Sequence, residues 1–253
     1  DGTQVHAVNN VTLRANDDDD MGNGTIDNVT VTAAGVIMAT ANDAMTGGTL
    51  QSTANNVIAT ANNGAITGIE VIAATTAELA ATTDIADATV SAGTNAMITA
   101  TETISNSTIN AATADLDAAN INGGTITLSG MADLTATAGI SGVNIDTDAI
   151  AQFRGTADIT DISITATSTD IQAATIRGGT LAVAGTADIT ATADIQDITI
   201  GAGNADIAAV NVLDSTIATD TTAMLTAATN ITGGTISSGG DATLTATNGK
   251  IDG

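Results

Sequence analysis

"INGGTI" at residues 121–126, "IRGGTL" at 176–181 and "ITGGTI" at 231–236 are one phrase written at intervals of 55 residues. From Gly123, Gly178 and Gly233 the alignment runs on, so that "GGTITLSGMADLTATA", "GGTLAVAGTADITATA" and "GGTISSGGDATLTATN" stand one above another. A shorter unit lies inside this repeat. The large apolar residue after Thr in each phrase belongs to a series running Val5, Val31, Leu50, Val71, Val90, Ile109, Ile126, Ile145, Ile164, Leu181, Ile200, Ile217 and Ile236. Its mean spacing of about 19 residues is the length of one solenoid coil.

Two further columns accompany it. The second, about eight residues later, runs Leu13, Ile37, Ile58, Leu79, Ile98, Leu116, Leu134, Phe153, Ile171, Ile189, Ile207, Leu225 and Leu244, commonly with Ala two positions on. Large-x-Ala is the period-two signature of a strand with both residues facing inward. The third runs from Ile26 and Met45 to Ile231 and Ile251, and each member precedes the next first-column residue by five positions in all twelve cases. A corner of fixed length follows. Two residues after each third-column residue stand Asn28, Gly47, Gly68, Asp87, Asn106, Gly123, Gly142, Asp161, Gly178, Asp197, Asp214 and Gly233, with Gly253 ending the series. Only Gly, Asn and Asp occur there, the residues that adopt positive φ at least cost. "GGT" therefore marks a sharp bend that each coil must make.

Three short strands per coil and one obligatory bend give an all-β, three-sided parallel β-solenoid. It has about thirteen coils of about 19 residues, right-handed by the bias of parallel crossovers and continuous over residues 1–253. At about 4.8 Å per coil it would extend on the order of 60 Å. Thr before most first-column residues, as at Thr30, Thr89, Thr125 and Thr199, would form an outward ladder. The absence of Pro suits strands whose N–H groups all donate to the next coil. Helix is excluded because Thr, Asn, Asp and Gly abound and no 3.6-residue period appears.

Composition narrows function. The chain carries 28 acidic residues against 4 basic ones, a net charge of −24, with no Cys, Pro, Trp or Tyr and a single Phe and His. Clustered Lys and Arg, which nucleic acid demands, are missing, and the same charge opposes anionic membranes. No run approaches the roughly 20 apolar residues of a membrane-spanning helix, so no membrane insertion is expected. The first residue is Asp and no leader pattern follows it, which reads as a processed product or a piece of a longer protein. Neither end carries a capping helix, so self-association end to end is the expected alternative to a longer chain.

The stretches "GGTISSGGDATLTATNGKI" (233–251) and "GGTLAVAGTADITATADI" (178–195) resemble the repeats of filamentous-haemagglutinin-like exoproteins and the β-solenoid stalks of bacterial autotransporters. This repeat style covers nearly the whole chain. The resemblance implies a bacterial, extracellular or surface-attached fibrous segment: an adhesin shaft or filament-forming subunit, with a host or matrix surface as its partner.

Candidate sites are few. Leu13 to Ile26 spans thirteen residues rather than five to eight, and the excess carries Asp17, Asp18, Asp19 and Asp20 with Asn23 close behind. Adjacent carboxylates on a glycine-containing loop suit Ca²⁺, although no register meets the D-x-[DN]-x-[DN]-G spacing, and a solvated acidic loop is the competing reading. No cofactor is otherwise required. Elsewhere Asp133, Asp158, Asp188 and Asp206 read as turn and solubility residues. Catalysis is not expected: Arg14, Arg154, Arg177 and Lys250 are scattered, and no Trp or Tyr is available to stack on a sugar ring. His6 reads as a surface residue, Phe153 and Met45 as core. The sequons at Asn10, Asn23, Asn28, Asn106 and Asn230 are what so Asn- and Thr-rich a chain supplies by chance, and the Thr-x-Thr array of ice-binding solenoids is broken at Gln51, Asn110, Asp146, Ala182 and Gly201. The alternative to a plain shaft is a cation- or glycan-binding solenoid module.

Overall fold

A computed structural model describes residues 2–15 and 24–253, which form two compact units, Asp1–Ser129 and Gly130–Gly253. Both units are parallel β-solenoids, with about twelve turns of about 19 residues between them. No helix occurs among the described residues.

In the first unit the first-column residues are stacked partners: Val5 on Val31, Val31 on Leu50, Leu50 on Val71, Val71 on Val90, Val90 on Ile109 and Ile109 on Ile126. In the second unit Ile145, Ile164, Leu181, Ile200, Ile217 and Ile236 follow the same rule. The third column stacks equally, from Ile26 on Met45 to Ile104 on Ile121 and from Ile140 on Ile159 to Ile231 on Ile251. Within each unit the first and third faces of successive coils thus stack in register. The reason is alternation. In strand Asn95–Ala100, Ala96, Ile98 and Ala100 are buried while Asn95, Met97 and Thr99 face water, and a slip of one residue would reverse all six.

The second face departs from the sequence expectation in two coils. Leu13 is paired with Ala39, not Ile37, and Leu79 with Ala59, not Ile58. Strands Ile37–Ala41 and Val57–Ala61 place their large residue at the first inward seat, where most other coils have Ala, and Ala at the middle seat. Ile58 points outward between Met38 and Glu78, because its neighbour Val57 already occupies the inward phase. Exchanging large and small between adjacent seats keeps the interior filled, which close packing requires.

The core consists of thin aliphatic rows closed by Ala. Ile164 and Leu181 are 1% exposed and share one row, and Phe153 is fully buried between Leu134 and Ile171. Burying an aliphatic side chain of this size contributes about 1.5–3 kcal/mol. An additional inward position follows each bend and escapes the three-column reading. Ile69, Ala88, Val143, Ile162 and Ile198 occupy it, all at most 3% exposed, as do Ser107 and Ser215 at 4%. The two serines satisfy their hydroxyls locally by donating to the carbonyls of Ser105 and Leu213.

In the second unit, faces merge into longer strands such as Thr180–Ala191 and Thr199–Leu213, with register shifts between Val183 and Thr186 and between Ala202 and Asn204. An irregularity there interrupts the ladder locally where the chain turns from first to second face.

Candidate functional site

The bend is the most constrained feature. All twelve residues from Asn28 to Gly233 singled out above have positive φ, from 48° at Asn28 to 68° at Gly178. Where a bend is written "GG", the second glycine is left-handed too, at 83° for Gly48, 94° for Gly124, 99° for Gly179 and 73° for Gly234. At four bends a side chain of one coil crowds the glycine of the next, although Asn106 follows Asp87 and Asp214 follows Asp197. A Cβ on Gly47, Gly123, Gly178 or Gly233 would overlap the Oδ1 of Asn28, Asn106, Asp161 or Asp214, respectively. A Cβ on Gly48, Gly124, Gly179 or Gly234 would instead strike the backbone carbonyl of Val29, Ser107, Ile162 or Ser215. At Gly68, stacked after Gly47, the space is open.

Polar groups at the other corners also reach one coil onward. Asn56 Oδ1 accepts from the Thr75 hydroxyl, Asn95 Oδ1 from Thr113 Oγ1 at 2.7 Å, and Asn204 Oδ1 from Thr222 Oγ1 at 2.8 Å. In the second unit a continuous series runs through four coils. Asn211 Nδ2 donates to Asp194 at 2.7 Å, Asn230 N and Nδ2 donate to Asn211 Oδ1 at 3.1 Å, and Lys250 N donates to Asn230 Oδ1 at 3.2 Å. No local motif announces these bonds, because the partners stand 17 to 20 residues apart.

The outward acids form a row. Asp170 is stacked on Asp188 and Asp188 on Asp206. Partial burial, and then the Asp170 and Asp206 charges, push the Asp188 carboxyl above its ordinary pKa of 3.8. Asp170 is held by Gln152 Nε2 at 3.1 Å and more loosely by Gln172. Asp133, earlier in the row, faces Arg154 at 3.8 Å and keeps one buried oxygen without a partner. At the last coil Lys250 Nζ donates to Asp252 at 2.8 Å and lowers that carboxyl's pKa. The Lys250–Asp252 pair is solvent-exposed and the Arg154–Asp133 pair partly so, and screening by water leaves both weak.

Asp17, Asp18, Asp19, Asp20 and Asn23, the Ca²⁺ candidates, lie outside the described residues. Among the described residues, no three His, Asp or Glu side chains come together in a way that could hold a metal ion. His6 is exposed on the first face beside Thr32, while Met45 is buried in the third column. Arg154, Arg177 and Lys250 sit on different coils of the second unit and Arg14 on the first coil of the other. A shallow groove of about 480 Å³ lies on the first face of the second unit, floored by Ala182, Gly201 and Ala218. It contains no cation and no aromatic.

Comparison with protein-family models, with curated proteins and with solved structures produced no match.

Proposed function

We propose that this chain is a structural, non-enzymatic segment of an extracellular bacterial fibre or stalk. The observation that supports it best is the direction in which its polar side chains act. Asn28, Asn95, Asn204, Asn211 and Asn230 all contact the adjacent coil rather than converging on a common point, and the aliphatic rows do the same inside. A molecule built so that each coil holds only its neighbours bears load along its winding axis through backbone hydrogen bonds. The outward acids keep such a surface soluble and oppose lateral pairing of sheets.

A cation-binding module is the second reading, favoured by the run Asp17–Asp20. Thermal unfolding followed by circular dichroism, with Ca²⁺ and with chelator, separates the two. A bound cation at a hundred times its Kd stabilises by about 2.7 kcal/mol. In a chain of this size that raises Tm by about 5 °C or more. The structural reading expects a change below about 1 °C, and a shift of several degrees would replace it with the cation-binding one.

A further inference from the structure

Methionine stands where no packing need explains it. Among the described residues seven large apolar side chains are exposed, and four of them are methionines: Met38, Met97 and Met224 at 44% and Met131 at 42%. Met45, the remaining described methionine, is 1% exposed in the third column. No described leucine is exposed and only two isoleucines are, Ile150 and Ile251, although Ile and Leu build the interior rows. A strand seat that asked only for apolar bulk would be served better by a β-branched residue, as Ile58 serves beside Met38.

What methionine adds is its sulfur. The chain has no Cys, Trp or Tyr, so the thioether is its readily oxidised group. Met38, Met97 and Met224 sit in the outward phase of second-face strands, next to the inward Ile37, Ile98 and Leu225. An oxygen added to their sulfurs enters water and leaves the interior rows as they are. Met45 is the opposite case, because it is stacked between Ile26 and Ile66, where a sulfoxide would be buried among aliphatics. The neighbours also set which oxidant approaches. Met97 lies between Glu78 and Asp115 and Met224 beside Asp206, whereas Met38 lies between Thr12 and Ile58. Carboxylates at strand spacing, on a chain of net charge −24, repel anionic oxidants and leave a neutral peroxide free to approach.

We propose that Met38, Met97, Met131 and Met224 are modification sites that reduce hydrogen peroxide and other neutral hydroperoxides, one equivalent per sulfur, without cost to the fold. A sulfur lone pair takes one peroxide oxygen as the O–O bond breaks. The departing hydroxide then takes the proton of the transferred hydroxyl and leaves as water. The thioether is oxidised by two electrons to the sulfoxide, and the peroxide is reduced by the same two. Sulfoxides exposed in this way are open to methionine sulfoxide reductases, which restore the thioether. This chemistry goes beyond the structural reading above and does not depend on it.

The test adds excess hydrogen peroxide to the folded chain and follows the sulfoxide at each position by mass spectrometry of proteolytic fragments. One oxygen is expected at each of the four exposed methionines, while Met45 reacts at least about tenfold more slowly until urea unfolds the chain. The oxidised chain is expected to keep its β-type dichroism and to melt within about 1 °C of the untreated one, since only outward groups change. The variant Met38→Leu/Met97→Leu/Met131→Leu/Met224→Leu should consume four equivalents fewer. Charge selection is read separately. Glu78→Gln should leave the rate at Met97 with hydrogen peroxide unchanged and raise it with the peroxymonosulfate anion, by up to about fourfold at low salt for one unit charge about 5 Å away in water. In about 0.5 M salt, where the Debye length is on the order of 4 Å, that gain should vanish. Oxidation of Met45 as fast as the others in the folded chain, a Tm lowered by several degrees on oxidation, or equal peroxide consumption by the four-leucine variant would each overturn the proposal. A Glu78→Gln chain with an unaltered peroxymonosulfate rate would overturn the selection of neutral oxidants.

Discussion

Three alanine substitutions at one corner should rank by what the adjacent coil places beside them. Gly68 and Gly47 have nearly the same backbone, φ of 61° and 58°, but a Cβ at Gly68 meets nothing within 4 Å while one at Gly47 overlaps Asn28 Oδ1. A left-handed alanine costs about 1–2 kcal/mol. Loss of glycine's freedom in the unfolded chain offsets about 0.4–1 kcal/mol of it, so Gly68→Ala should destabilise by about 1 kcal/mol. At Gly47 the Asn28 side chain must also swing aside and give up the bond from its Nδ2 to Asp27 Oδ1 at 3.1 Å. An exposed bond of that kind contributes about 1 kcal/mol, which brings Gly47→Ala to about 2 kcal/mol. Gly48 differs in kind. Its φ is 83°, and a Cβ there meets the backbone O and N of Val29, which can retreat only by separating two coils. Overpacking of this sort costs about 1–3 kcal/mol or more beyond the backbone term, so Gly48→Ala should lose about 3 kcal/mol or more. Urea unfolding followed by circular dichroism, with all three changes in the same unit, should give midpoints in the order Gly68→Ala, Gly47→Ala, Gly48→Ala, highest first. Equal midpoints for Gly68→Ala and Gly48→Ala would refute the coil-on-coil origin of the glycine rule.

Other consequences are simpler to check. Thr169 is 3% exposed and its hydroxyl has no partner, so Thr169→Val, which keeps the shape, should stabilise by about 1 kcal/mol in the same urea assay, and Thr169→Ser should not. Phe153→Ala should lose about 3–5 kcal/mol by emptying the seat between Leu134 and Ile171, while Phe153→Leu should lose under about 1.5 kcal/mol. Asp188 has a pKa raised above 3.8 by partial burial and by Asp170 and Asp206, so the folded chain holds that proton longer than the unfolded one. Its contribution therefore favours the fold below pH 3.8 and is lost as pH rises through the elevated value. Asp188→Asn should raise Tm at pH 7 by an amount that shrinks as pH falls below the elevated value, and an unchanged Tm at pH 7 would count against a repulsive row.

What the sequence made legible follows from which signals are local. Alternation within a strand and a five-residue bend are short-range patterns, so the first and third columns and the positive-φ bend could be read directly, and the structure reproduces them from Asn28 to Gly233. Two adjacent aliphatics defeat that reading. In "NVIATA" either Val57 or Ile58 could face inward, and only the register with Ala77 and Glu78 decides for Val57. Pairings such as Asn230 with Asn211 depend on coil length, which varies, so no fixed spacing reveals them. The seat after the bend was missed for another reason. It accepts Ile, Val, Ala, Ser or Gly, and its identity depends on whether the coil uses "GG", as beside Ser107 and Gly124. The acidic run Asp17–Asp20 remains a sequence expectation, outside the described residues.

The chain's single Phe offers the most direct test of like residues stacking once per turn. With the ring of Phe153 and the methyls of Leu and Ile labelled, nuclear Overhauser contacts should run from the ring to Leu134, 19 residues before it, and to Ile171, 18 residues after it. A ring in contact only with methyls from its own stretch of chain, and with neither of those two, would contradict the winding from which every other conclusion here descends.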